Sequence, residues 1–242
     1  MKKTAIIIPA RFASTRLPGK PLLKVLNKPI IQWVWEKAKM AKLADSVIIA
    51  TDSELIYEVA KTFTDDVEMT SENHKSGSDR IAEVAKRHPE FDYIVNLQGD
   101  EPLIKPESID EIIKALQTGA DISTLIRVLK DEEDINNPNC VKCVVDNNNF
   151  ALYFSRSKIP YERNSNQAEF YGHIGIYGYT RDALLKMTST PQSMLEKAES
   201  LEQLRALQSG LKIKTIKVDF VPVGIDTEED LKKFEKIAMD LK

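Results

Sequence analysis

The 242-residue chain is poor in the residues that mark several protein classes: it holds two cysteines, three histidines and two tryptophans. So little cysteine excludes a disulfide-built secreted scaffold. Cys140 and Cys143 form a C-x-x-C, but inside the strand-like run NCVKCVVD, where positions three apart face opposite sides. A redox pair opens a helix, and a zinc site needs further ligands nearby, so both cysteines read as structural. The histidines offer no Ser-His-Asp or Cys-His arrangement. There is no basic excess: the formal net charge is −3, which excludes the cationic stripe of a nucleic-acid binder. No apolar run approaches the roughly 20 residues that span a bilayer. The start, MKKTAIIIPARF, imitates a signal peptide only briefly, because its apolar stretch is short and Arg11 interrupts it. It reads as a buried strand of a cytoplasmic protein without a membrane partner. Both glycine-rich phosphate fingerprints, G-x-x-x-x-G-K-[ST] and G-x-G-x-x-G, are missing.

What is present is an alternation of strand and helix. Strands are expected at Ala5 to Ile8, Val47 to Ala50, Val67 to Met69, Tyr93 to Leu97 and Ile122 to Val128. Helices are expected between them, at Ile30 to Met40, Glu54 to Phe63 with Ser53 as cap, Ser78 to Lys86, and Pro106 to Gln117. This order implies an α/β fold with a mostly parallel, doubly wound sheet, its ligand site off the carboxyl ends of the strands. After Pro138 the texture changes. Val141 to Val145, Asn147-Asn148-Asn149 and Ala151 to Phe154 read as a hairpin, and His173 to Tyr179 as another strand. Residues 155 to 170 read as loop. Met194 to Gln208 is read as one amphipathic helix ending at Gly210, Ile213 to Val218 as a strand, and Glu228 to Leu241 as a closing helix. We read one domain over residues 1–242, with an embedded β-rich lobe at 138–180.

Five segments carry chemistry. PARFASTRLPGKP, residues 9 to 21, follows the first strand and brings Arg11, Arg16 and Lys20 into one loop. Pro9, Pro18, Gly19 and Pro21 oppose full extension, so the loop can converge its cations on one polyanion, with Ser14 and Thr15 adding hydroxyls. An ordinary basic surface loop fits the composition equally well. Gln98-Gly99-Asp100-Glu101-Pro102 ends the fourth strand, where a carboxylate can hold Mg²⁺ together with phosphate oxygens; a turn capped by Asp100 is the plainer reading. Asp226, in Gly224-Ile225-Asp226-Thr227, gains weight as a second metal ligand only beside Asp100, since Thr227 with Asp230 already makes a helix cap. Ser76 and Asp79 make a cap that could set Arg80 and a helix start against an anion. His173 and Tyr177, in HIGIYGY, share a strand face beside glycines that leave room for a ligand.

In this order the segments resemble the 3-deoxy-manno-octulosonate (KDO) cytidylyltransferases. The stretches that carry the resemblance are IIIPARFASTRLPGKPL, HKSGSDRIAEV, VNLQGDEPLI, VKCVVD, ALYFSRSKIPY, HIGIYGY, ESLEQLRAL and GIDTEEDL. The resemblance implies a nucleotide-diphospho-sugar transferase-like, Rossmann-like fold with a small β-hairpin dimerisation lobe, a homodimer, and transfer of CMP from CTP to KDO for lipopolysaccharide or capsule synthesis. It implies that Arg11, Arg16 and Lys20 hold the triphosphate, with Pro9, Ala10, Ser14, Ser78, Gln98 and Asp100 also at the nucleotide. Asp100 and Asp226 would hold Mg²⁺. Arg80, Gln98, His173, Tyr177, Glu202 and Gln203 would meet the sugar.

Two positions depart from the family pattern. Gly172 stands where a basic residue usually precedes the histidine, and Thr180 where arginine is frequent. Both fall near the expected sugar site, so a related acidic sugar, an 8-amino-KDO or a sialic-acid type, stays open. A nucleotide-sugar glycosyltransferase is a more distant alternative; its D-x-D signature is absent from the GDEP strand end. A non-enzymatic nucleotide sensor is a third.

Overall fold

A computed structural model describes residues 2–13, 17–164, 167–221 and 224–240. Arg16, an expected triphosphate contact, Ser14, expected at the nucleotide, and Thr15 between them lie outside the described residues. The chain forms two compact units, Met1–Asp110 with Pro222–Lys242, and Glu111–Val221.

The first unit opens with β1 (Lys3–Ala10). A 3-10 turn at Lys20–Leu22 follows, then the two-residue strands β2 (Lys24–Val25) and β3 (Lys28–Pro29), α1 (Ile30–Lys39), β4 (Ser46–Thr51), α2 (Glu54–Lys61), β5 (Val67–Met69), α3 (Gly77–Arg87) and β6 (Phe91–Asn96). Helix α4 (Pro106–Gln117) carries the chain into the second unit. Strand β1 pairs in parallel with β4 on one side and β6 on the other, and β4 pairs in parallel with β5. Ala5, Ile6, Ile7 and Ile8 have no exposed surface, which is why β1 reads as an unbroken apolar run and not as an alternating one. Gly99 sits so close to the end of β1 that a Cβ there would lie 3.1 Å from the Pro9 carbonyl oxygen. The loop after β6 therefore packs against the carboxyl end of β1.

Ser76 caps α3 as expected, its hydroxyl accepting from the Asp79 N–H at 3.1 Å. Ser53 occupies the N-cap position of α2, but its side chain makes no capping hydrogen bond, which corrects the expected role. Its own N–H donates to Thr51 Oγ1 instead.

The second unit contains β7 (Ile122–Leu129), α5 (Glu132–Asn136), β8 (Lys142–Val145), β9 (Ala151–Ser155), β10 (Phe170–Thr180), α6 (Arg181–Ser189), α7 (Met194–Glu199), α8 (Gln203–Gln208) and β11 (Ile213–Val218). Here pairing is mixed: β11 runs parallel to β7, while β10 is antiparallel to β7 and β8, and β8 to β9. The β8–β9 hairpin turns on Asp146, whose Oδ1 accepts from the N–H groups of Asn148 and Phe150, with Asn149 left-handed at φ 59. Strand β10 slips register between Ile174 and Tyr177. Thr124 fills the irregularity, donating to the Ile176 carbonyl at 2.7 Å.

The single helix expected over Met194 to Gln208 is broken. Ser200 is left-handed at φ 52, and the chain restarts as α8 at Gln203. The carbonyls left at the break are satisfied from a distant part of the chain: Arg156 Nε donates to that of Glu199 at 2.7 Å and Nη2 to that of Ser200 at 3.3 Å. Glu199's carboxylate is held in turn by Ser155 and the Arg156 N–H. Helices α5 and α6 were not expected; Thr180, one of the departing residues, caps α6 by accepting from the Ala183 N–H.

The chain then returns to the first unit with α9 (Glu228–Asp240). Thr227 and Asp230 form the expected reciprocal cap. Phe234 meets Trp33 edge to face at 5.5 Å, docking α9 on α1.

Gly178 and Gly175 make a controlled pair on β10. A Cβ at Gly178 would lie 2.5 Å from Ile112 Cγ2 and 2.6 Å from Ser123 Oγ, whereas nothing lies within 4 Å of one at Gly175. Gly178→Ala is expected to cost about 1–3 kcal/mol as overpacking, and Gly175→Ala well under 1 kcal/mol by the usual size of surface effects. Chemical denaturation of the two variants checks this; equal midpoints would contradict the packing described for α4 against β10.

Candidate active site

In the first unit, the loops at the carboxyl ends of β1 and β6 enclose a cleft of about 410 Å³. Pro9, Ala10, Arg11, Lys20, Gln98, Asp100 and Asp226 line it, together with Lys75, Ser76 and Gly77. Its volume falls in the range of small-molecule sites.

Lys20 is brought there by local geometry. The Gly19 N–H donates to the Phe12 carbonyl at 3.1 Å, folding the loop back on itself. Gly19 is left-handed at φ 67, a conformation glycine adopts at no steric cost, and the 3-10 turn starts at Lys20. Asp226 arrives by another route. The Ile225 N–H donates to the Asp100 carbonyl at 2.9 Å, tying the segment before α9 to the β6 loop. The result is a three-membered charge cluster: Lys20 Nζ lies 2.5 Å from Asp100 Oδ2 and 3.0 Å from Asp226 Oδ1. Burial alone would lower the Lys20 pKa, but the charges and hydrogen bonds of Asp100 and Asp226 outweigh it and hold the ammonium above its ordinary value.

Arg11 reaches to the segment before α3, with Nη2 donating to the His74 carbonyl at 2.7 Å and Nη1 to that of Lys75 at 3.4 Å. The N-terminal end of α3, at Ser76 and Gly77, borders the same cleft and adds the positive end of a helix dipole. Gln98 Nε2 donates to Asn96 Oδ1 at 3.1 Å, which fixes its amide.

Two expected residues are placed elsewhere. Ser78 is buried in α3. Arg80 has no exposed surface; its guanidinium is enclosed, ion-paired to Asp52 and hydrogen-bonded to Thr70. Burial lowers its pKa, and Asp52 only partly offsets this. Two residues were missed. Lys75 sits in the quoted HKSGSDR stretch and adds a cation at the cleft wall. Glu101, inside GDEP, has an enclosed carboxyl whose Oε2 lacks a hydrogen-bond partner among the described residues. Burial, and then the charge of Asp100, push it up to about 7.

The remaining candidates belong to the second unit. The His173 ring stands 5.3 Å from that of Tyr177, which stacks on Tyr179 at 5.8 Å. Burial pushes His173 down to about 4, so it is neutral near pH 7. The Tyr177 hydroxyl is buried without a hydrogen-bond partner among the described residues. Tyr177, Glu202 and Gln203 line a small cavity of about 10 Å³ with Ile122, Tyr179, Met187 and Ile213, room for about one water. The helix break puts Glu202 and Gln203 at the start of α8. Arg205 fixes Glu202 there, Nη2 to Oε1 at 2.8 Å, while Nη1 donates to the Thr190 carbonyl at 3.1 Å.

A divalent cation fits the first cleft. Among the described residues no group of three or more His, Cys, Asp or Glu side chains could enclose a metal. Two carboxylates from separate loops do converge on one ammonium, however, which stands in for a shared cation. Mg²⁺ characteristically takes one or two carboxylates plus substrate phosphates.

A cytidylyltransferase family model matches residues 5–213. The chain is 46% identical to the 3-deoxy-manno-octulosonate cytidylyltransferase of Fusobacterium nucleatum, over 94% of this chain and 93% of that one. It is 47% identical to that of Thermodesulfovibrio yellowstonii, over 96% and 97%. The chain belongs to the 3-deoxy-manno-octulosonate cytidylyltransferase family. Among solved structures, a CMP:2-keto-3-deoxy-manno-octonic acid synthetase complexed with CTP superposes with a TM-score of 0.95 at 39% identity, over the whole of both chains. The parallel first unit and mixed second unit are thus those of a cytidylyltransferase with the nucleotide-diphospho-sugar transferase-like fold expected from the sequence.

Glu101 gives this family member a measurable pH signature. Its carboxyl is protonated in both states below about 4.5, the ordinary value, and ionises in the folded state only near 7. Folding therefore carries no penalty from Glu101 below the lower value, a growing one between the two, and the full one above 7. Glu101→Gln is expected to raise Tm relative to the parent protein at pH 8, by an amount that shrinks towards pH 4.5. Melting curves in divalent-free buffer check this; parallel profiles for the two proteins would contradict the enclosed carboxyl.

Proposed function

We propose that this protein transfers CMP from CTP to the anomeric hydroxyl of 3-deoxy-manno-octulosonate, giving CMP-KDO and pyrophosphate. The observation that carries the reading is the cleft in which Asp100 and Asp226 converge on one cation beside Arg11 and the start of α3. The relatives' names and the CTP bound to the similar solved structure support the nucleotide and the sugar.

The sugar hydroxyl oxygen attacks the α-phosphorus, the bond to the bridging oxygen of the β-phosphate breaks, and pyrophosphate leaves in line; the hydroxyl proton passes to solvent. Such chemistry asks a protein for position and charge, not for a covalent intermediate. Arg11, Lys20 and Arg16 bind the triphosphate, and Lys20 with Arg16 steadies charge on the departing pyrophosphate. Pro9, Ala10, Ser14 and Gln98 position the nucleotide, and Ser78, buried in the first turn of α3, acts through the helix start. Asp100 and Asp226 would hold Mg²⁺, which when bound supplies Lewis-acid polarisation of phosphate and makes the hydroxyl more acidic. Gln98, His173, Tyr177, Glu202 and Gln203 recognise the sugar. Arg80 joins them only on release from Asp52.

The departure at Gly172 has a packing reason. Gly172 has no room for a side chain, since its Cβ would lie 2.7 Å from Leu129 Cδ2 and 3.3 Å from Cys140 Sγ. A basic residue there is sterically barred.

Further parts of the reading are a cytoplasmic location, a homodimer, and a product used for lipopolysaccharide or capsule. Among the described residues no helix is long and apolar enough to cross a membrane. Leu152 on β9 and Tyr161 just beyond it are 61% and 89% exposed, which supports a self-association surface on the β-rich lobe.

Pyrophosphate release from CTP, measured with Mg²⁺ and a panel of acidic sugars, tests the reaction. Release is expected only when sugar is present, fastest with KDO. Asp100→Asn should lower kcat by roughly two orders of magnitude or more, the size of losing an electrostatic stabiliser, with an unchanged circular dichroism spectrum. Sugar-independent release, or near-normal turnover of the variant, would contradict the assignment.

A further inference from the structure

Lys20 does more in this structure than wait for phosphate. Its ammonium is gripped by both carboxylates, at 2.5 and 3.0 Å, and its side chain is only 13% exposed. The two aspartates reach this point from loops 126 residues apart in sequence, tied to each other by the Ile225 N–H to Asp100 carbonyl bond. Two carboxylates facing one point repel each other unless a cation sits between them. Lys20 supplies that cation from within the chain. A divalent ion sharing the same oxygens meets the ammonium head-on, since both seek the space between Oδ2 of Asp100 and Oδ1 of Asp226. The flexible stem of lysine allows the ammonium to leave, and the cleft beyond it is where an anionic triphosphate sits in the proposed function.

We infer that Lys20 is a built-in placeholder for the divalent cation: it holds Asp100 and Asp226 at the spacing of a shared ion and keeps free metal out until a triphosphate draws its ammonium away. The inference rests on the reading of Asp100 and Asp226 as metal ligands and adds an order to it. Charge is conserved through the exchange. Before it, one ammonium offsets part of two carboxylate charges. After it, a divalent ion balances the pair and the ammonium balances one phosphate charge. Metal binding thereby becomes conditional on nucleotide.

The test is Mn²⁺ alone, titrated into the full-length protein without nucleotide, with bound ion read by electron paramagnetic resonance and by the Mn²⁺-induced rise in Tm. Lys20→Met is expected to bind Mn²⁺ about tenfold more tightly than the parent or better, the order of one solvent-screened charge interaction. It should also melt lower without the ion and recover with it. Lys20→Arg keeps the cation and should bind as weakly as the parent. Asp100→Asn added to Lys20→Met should abolish the gain. If Lys20→Met proves unstable, Lys20→Gln serves in its place. Equal Mn²⁺ affinity in parent and Lys20→Met overturns the placeholder and leaves the metal reading standing. No Mn²⁺ binding in either protein at millimolar concentration also overturns the placeholder, and if added CTP still brings no Mn²⁺ to the parent protein, the metal reading falls with it.

Discussion

Lys20 between Asp100 and Asp226 is the constraint around which the first unit is arranged. Each member comes from a different loop, and each loop is set by something other than the ion pair. The left-handed Gly19 turns Lys20 inward, the carboxyl end of β6 delivers Asp100, and the Ile225 backbone bond with the α9–α1 packing delivers Asp226. The cluster is only partly shielded from water, so its value for stability is small beside its value for chemistry. What it secures is a geometry: two acidic oxygens pointing at one place, at the mouth of a cleft whose other wall carries Arg11 and the start of α3.

The second unit supplies a different kind of environment. His173 and Tyr177 are half-buried aromatic groups, and the Tyr177 hydroxyl is enclosed with no partner among the described residues. Buried polar atoms without partners are uncommon and call for a reason. Recognition of a hydroxyl-rich ligand is the reason we propose. The break between α7 and α8 sets Glu202 and Gln203 at a helix start, where Arg205 holds the Glu202 carboxylate and Arg156 the carbonyls of Glu199 and Ser200.

Much of this was legible in the sequence wherever a short-range rule applies. The unbroken Ile-Ile-Ile run identified β1, Asn-Asn-Asn the β8–β9 turn, and Ser76 and Thr227 their caps. PARFASTRLPGKP could be read from its residues equally as a polyanion site or as an ordinary basic loop, and nothing local decides between them, because Lys20 meets its partners 80 and 206 residues away. The helix break at Ser200 was illegible for the same reason: its open carbonyls are satisfied by Arg156, 43 and 44 residues upstream. Glu101 was hidden because burial, which raises its pKa, leaves no mark in composition. Arg80 was legible as a cation beside a helix start, but its enclosure by Asp52 and Thr70, 28 and 10 residues away, was not.

The most direct measurement is an anomalous difference map from a crystal of the protein with CTP and Mn²⁺. One strong peak shared by Asp100 and Asp226, with Lys20 Nζ moved from the carboxylates onto a phosphate oxygen, is the predicted result. A Mn²⁺ bound elsewhere, with Lys20 still bridging the two carboxylates while CTP fills the cleft, would contradict the account.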